Sequence, residues 1–246
     1  MALSVLQTYE RLLGHYGPQG WWPTTARGGV RPVYRPGTAG AVPSPRQQWE
    51  IVVGSVLAQN TAWRNASAAL SALVRRRILS LRRMAALPRA DLAATIRSAG
   101  YFNQKARNLQ ELAAHLLSVS GGRIAPFLSR PAPELRVELL ERRGVGPETA
   151  DSILLYAAGR PFFVIDAYAR RIASRLAWVP ETIAYHRLQE LFESRLPRDP
   201  AIYNEYHALL VRHAVEHCRA RPLCEGCCLR DGCPAGRSLA AAGDRP

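Results

Sequence analysis

Residues 139–170 read LLERRGVGPETADSILLYAAGRPFFVIDAYAR, and the breaks in their apolar pattern decide the fold. Leu135, Val137, Leu139 and Leu140, with Arg136, Arg142 and Arg143 among them, give a short helix with a basic face. Gly144 and Gly146 break it, since glycine tolerates φ > 0 and the close approach of another molecule. Pro147 suits the first position of a second helix, where its missing N–H would have had no partner. Ala150, Ile153, Leu154 and Ala157 carry that helix to Gly159, which ends it. The apolar run Phe162 to Ile165 then leads to Asp166, which opens a further helix. Unpaired amides beside the glycine turn make a seat for a phosphate oxygen, one that reads no base sequence. A plain helical hairpin would share the turn and a plain N-cap would share the aspartate.

On either side, helical periodicity covers residues 2–16, Gln48 to Ala58, Ala62 to Arg76, Ala90 to Ser98, Lys105 to Ser118 and Pro133 to Arg143, with no convincing alternating strand. The fold is therefore expected to be all-α. Residues 17–46 hold many of the prolines and glycines and should have little regular structure, yet Trp21, Trp22 and Pro23 lie there. Large aromatics in a loop either anchor a seam or face a ligand. The runs Arg75 to Arg77 and Arg82-Arg83 read as solvated helix faces, and the Ala/Gly-rich residues 235–246 as a disordered tail.

Thirty-three basic against nineteen acidic residues give +14, which favours a polyanionic partner, nucleic acid first. Lys105 is the only lysine, so the charge sits on arginine, which grips phosphate bidentately but supplies no amine nucleophile. No run reaches the roughly 18 apolar residues of a membrane span, and the N-terminus lacks the pattern of a signal peptide, so a cytoplasmic protein is expected.

All five cysteines lie between residues 218 and 233, which in a reducing compartment argues for metal over disulfides. Cys218, Cys224, Cys227 and Cys233 are separated by five, two and five residues. Only Cys224 and Cys227 form a CxxC pair, whereas a zinc ribbon more often uses two, so one four-thiolate cluster is preferred over zinc. Cys228 could stand in for Cys227.

Gly144-Val145-Gly146 followed by Asp166 about twenty residues later resembles the helix-hairpin-helix DNA glycosylases of the endonuclease III superfamily. The resemblance runs from about residue 47 to 233. It implies a six-helix barrel over residues 47–157 and a second helical domain from residues 1–46 and 158–234, flanking a cleft for double-stranded DNA with a damaged base. It implies that Gly144, Val145 and Gly146 hold a DNA phosphate, that Asp166 faces C1′ of an extruded nucleotide, and that Gln59 enters the gap in the stack. Many members hold a 4Fe-4S cluster in a closing four-cysteine loop, here Cys218, Cys224, Cys227 and Cys233, with Arg219 and Arg221 beside the DNA. A monomer in a bacterial or archaeal cytoplasm is the corresponding expectation.

Members that also cleave the backbone carry a lysine at the position occupied by Glu148, and glutamate cannot form the imine, so a monofunctional, water-using enzyme is expected. The 3-methyladenine DNA glycosylase branch pairs GxGxE[ST]AD with an aromatic-Pro segment, matched by Gly144 to Asp151 and by Trp21-Trp22-Pro23. That likeness places Trp22 and Trp49 around an extruded alkylated purine, with Trp21, Pro23 and Glu148 near. A pyrimidine glycosylase with lyase activity and a non-catalytic DNA-binding module are the alternatives.

Overall fold

A computed structural model describes residues 2–243. In chain order come α1 (Val5–Tyr16), a ribbon of β1 (Thr24–Thr25) and β2 (Pro32–Val33), then α2 (Pro45–Leu57), α3 (Trp63–Arg75), α4 (Leu81–Ala86) and α5 (Arg89–Thr95). Next are α6 (Phe102–Ser120), α7 (Ile124–Leu128), α8 (Ala132–Leu140) and α9 (Pro147–Ser152), which widens into a π turn over Ile153–Ala157. The chain continues through α10 (Ala167–Arg175), α11 (Tyr185–Arg195), α12 (Pro200–Glu216) and α13 (Pro234–Gly243). The fold is all-α. Its sheet, among the described residues, is the antiparallel pairing of Thr24 with Val33 and Thr25 with Pro32, too short for an alternating pattern to reveal.

The chain divides into two compact units. One comprises residues 22–35 and 41–160. Its axis is α2, where every residue from Gln48 to Leu57 is buried, so the helix is covered on all sides by α3, α6, α7, α9 and the π turn. Glu50 lies inside it. Its Oε1 accepts from the Thr25 amide at 2.8 Å and the Thr25 hydroxyl at 2.6 Å, which pins the ribbon to α2. Burial raises the Glu50 pKa.

The other unit joins the two ends of the described chain, residues 2–21, 36–40 and 161–243. α1 and α10 both pack on α12. Tyr206 donates to Val5 O at 2.9 Å, and Trp178 Nε1 donates to Leu3 O at 2.7 Å. Gly232 lies so close to Leu3 that a Cβ there would fall 2.3 Å from Leu3 Cγ.

Two boundaries differ from expectation. Residues 22–35 and 41–46 group with the α2 unit instead of with the chain ends, because Trp22 packs on α2. The tail expected to be disordered is helical over Pro234–Gly243, with proline at its start and alanine, the best helix former, along it. Residues 244–246 of that tail lie outside the described residues.

Candidate active site

The hairpin is α8, the glycine turn and α9. Gly144 has φ +73°, and a Cβ built on it would fall 1.9 Å from Asn108 Nδ2, so both the backbone and the packing require glycine. Gly146 is different: its φ is −91°, and a Cβ would meet nothing within 4 Å. That turn is open to an approaching group. Val145 is buried, so only its backbone can serve a ligand. Arg136 holds the two helices together through a bidentate pair with Asp151, Nε to Oδ1 at 2.6 Å and Nη2 to Oδ2 at 3.1 Å, and Asp151 is wholly buried.

Gln59 follows the end of α2 and reaches into the same turn. Its Nε2 donates to Gly144 O at 2.9 Å and to Thr149 Oγ1 at 2.8 Å. Beneath it, Lys105 Nζ donates to Leu57 O, Gln59 O and Ala99 O at 2.7 to 2.8 Å, a cation shared between two carbonyls at the end of α2 and one from the turn before α6. Burial lowers the Lys105 pKa to about 8. Neither Lys105 nor Thr149 was legible as part of this arrangement, because both join it through tertiary contacts.

Trp22 lies across Gly54 of α2, where a Cβ would come within 3.0 Å of its Nε1. Trp63 and Tyr156 meet it with ring centroids 5.4 and 5.2 Å away. The sequence reading had neither partner, although a glycine inside the apolar pattern of α2 was a signal of close approach. Trp49 is also buried in α2, and its Nε1 has no partner among the described residues. Pro23 is buried, Glu148 is exposed in the first turn of α9, and Trp21 is half-buried in the other unit.

Asp166 belongs to the unit of the chain ends. The segment before it is held by α11: Phe163 N donates to Glu193, Gln189 Nε2 donates to Phe163 O, and Ile165 N donates to Tyr185 OH. Asp166 then caps α10, with Oδ1 accepting from Ala169 N at 2.7 Å. Its Oδ2 lies 3.6 Å from Nε2 of His207 on α12. Both side chains are largely buried. His207 is a neighbour that sequence alone did not supply.

In the same unit Cys218, Cys224, Cys227 and Cys233 line one small cavity of about 30 Å³, with His213, Arg175 and Arg230 also on its wall. Cys228 is not on that wall, and burial pushes its thiol up to about 11. Arg175 Nη1 donates to Cys218 Sγ at 3.3 Å and to Arg219 O at 2.6 Å, and Arg171 Nε donates to Cys218 O at 2.8 Å. These α10 arginines were not foreseen. Among the described residues no three His, Cys, Asp or Glu side chains stand at single-ion spacing. The donor set is nevertheless four soft thiols around one void beside a guanidinium, which suits a thiolate-held cluster. Arg219 and Arg221 are exposed on the loop.

A glycine-turn hairpin followed by a carboxylate at a helix start is the pattern on which the likeness to helix-hairpin-helix DNA repair proteins rests. The chain belongs to the HhH-GPD superfamily of base excision DNA repair proteins, whose profile matches residues 53–198. A protein of Methanocaldococcus jannaschii named as a candidate DNA repair glycosylase is 36% identical over 230 residues, 93% of this chain and 95% of its own. Endonuclease III of Thermotoga maritima is 31% identical over 144 residues, 58% of this chain and 62% of that protein. Among solved structures, H. pylori 3-methyladenine DNA glycosylase bound to 1,N6-ethenoadenine shares the fold, with a TM-score of 0.69 at 23% identity over 87% of this chain and 98% of that one. Among the described residues no helix is long and apolar enough to cross a membrane.

Proposed function

We propose that this DNA glycosylase is monofunctional, acts as a monomer on double-stranded DNA, and hydrolyses the N-glycosidic bond of an extruded alkylated purine such as 3-methyladenine. The observation that carries the reading is Asp166, set at the start of α10 by its cap to Ala169 and largely withdrawn from water. Cleaving that bond builds positive charge on the sugar, and a carboxylate held against C1′ lowers the barrier electrostatically while orienting the attacking water. The open amides at Gly146 and the first turn of α9 take a backbone phosphate. Gln59, already directed into the turn, fills the space the nucleotide leaves.

Weak or absent lyase activity is supported by Glu148 in place of an amine and by Lys105, whose nitrogen is engaged by three carbonyls. Trp22 and Trp49 supply electron-rich faces that attract the delocalised charge of a methylated purine. The H. pylori protein of the same fold carries that substrate class in its name. Cys218, Cys224, Cys227 and Cys233 would hold a 4Fe-4S cluster, which when bound supplies the cross-link that folds the loop bearing Arg219 and Arg221.

Incubating the protein with duplexes carrying 3-methyladenine, uracil or an oxidised pyrimidine, and probing strands with and without hot alkali, tests the whole reading. Free 3-methyladenine and alkali-dependent breaks are expected. Asp166→Asn should keep duplex affinity while base release falls on the order of 10³-fold or more. Near-normal release by Asp166→Asn would remove this residue from the chemistry.

A further inference from the structure

Away from the hairpin, the end of β1 with the residues after it, Arg35, and the start of α2 line an open cavity of about 540 Å³. Arg27, Arg35 and Arg46 line it together with Thr25, Ser44 and Gln47. The frame is built: Arg35 Nη1 donates to Thr24 Oγ1 at 2.8 Å, and Gln47 Nε2 donates to the same hydroxyl at 2.9 Å. Arg27 and Arg46 are exposed and have no hydrogen-bond or ion-pair partner among the described residues.

The surrounding sequence offsets them only in part, through the single buried carboxylate of Glu50, on which Arg46 and Arg35 act. Residues 11–49 contain five arginines and no aspartate or glutamate. The next acid, Glu50, is wholly buried with Oε1 turned to Thr25. The guanidinium groups of Arg27 and Arg46, on one concavity with Arg35, favour an anion among them, and their planar forks match the oxygens of a phosphate.

We propose that this cavity is a second phosphate seat, which takes a phosphodiester of the DNA backbone apart from the hairpin. Naming DNA as the source rests on the glycosylase reading; the anion chemistry does not. Donors of this kind position a duplex without reading its bases.

The test compares wild type, Arg27→Gln/Arg46→Gln and Arg27→Lys/Arg46→Lys. Affinity for an undamaged fluorescent duplex is measured by anisotropy across a chloride series, and melting is followed with and without inorganic phosphate. The glutamine variant should bind about tenfold more weakly at low salt, with a log K against log salt slope shallower by about one. In the same variant the rise in melting temperature that phosphate gives the wild type should vanish. The lysine variant should retain the slope. An unchanged slope in the glutamine variant, or equal losses in both variants, would overturn the proposal. Phosphate-dependent melting with an unchanged duplex slope would make the cavity a seat for free anions and overturn the backbone assignment. If the wild type bound no duplex, the glycosylase reading would fail, while the phosphate melts would still judge the cavity.

Discussion

At Gly144 an alanine would meet two obstacles, a backbone at φ +73° and a side-chain nitrogen 1.9 Å from the new methyl. Gly144→Ala should therefore destabilise the protein by about 2–4 kcal/mol in urea unfolding. Gly146→Ala should stay within about 1 kcal/mol of wild type, since its φ is ordinary and its surroundings are open. Its methyl would nevertheless occupy the space a phosphate needs, so duplex binding should weaken about tenfold or more. Full binding by Gly146→Ala would show that the phosphate sits elsewhere. The pair of glycines and Asp166 were legible because spacing along the chain defines them. What each glycine does was not, because the clash with Asn108 and the opening at Gly146 exist only after packing. The same holds for His207 beside Asp166, forty-one positions away in the chain.

Helix α2 shows the same contrast at the scale of an element. Its apolar pattern announced a helix from Gln48, and its all-round burial came from neighbours that the pattern does not name. The short α4 and α7 gave too few turns for periodicity to separate them from loops, and the ribbon was hidden among prolines and glycines. Lys105 closes α2 at its far end. Lys105→Met would leave three carbonyls without their donor, at a net cost of about 3 kcal/mol, and should loosen the segment that carries Gln59. The pH dependence has a definite sign. Burial lowers the Lys105 pKa from 10.5 to about 8, so between those values the unfolded chain keeps a proton that the folded one has released. Folded stability from this group thus rises with pH across that window and is flat below about 8. The gap in unfolding free energy between wild type and Lys105→Met should widen from pH 8 to 10. A gap that narrows there would mean that the charged ammonium, held on its carbonyls, is the favoured state.

Each unit of the whole molecule has its own core, and the two cores are built differently. The α2 unit is closed around one buried helix, whereas the unit of the chain ends gathers α1, α10, α12 and the cysteine loop from opposite ends of the sequence. Leu3 meets Gly232, and Arg171 and Arg175 hold Cys218 and Arg219, so anything that orders the loop also orders the N-terminus. A bound 4Fe-4S cluster would add its binding free energy to the folding of this unit alone. Protein made with adequate iron is expected to be brown with about four irons per chain. Cys227→Ala should lose that iron, because Cys227 is on the wall of the thiol-lined cavity, while Cys228→Ala should keep it, because Cys228 is not. Hydrogen exchange on Cys227→Ala should then quicken in α1, α12 and the cysteine loop, with α2 and α6 still protected. Iron retained by Cys227→Ala and lost by Cys228→Ala would exchange the two ligands. Colourless, zinc-loaded wild type from the same preparation would replace the cluster with a single ion and require the four sulfurs to draw closer than they stand.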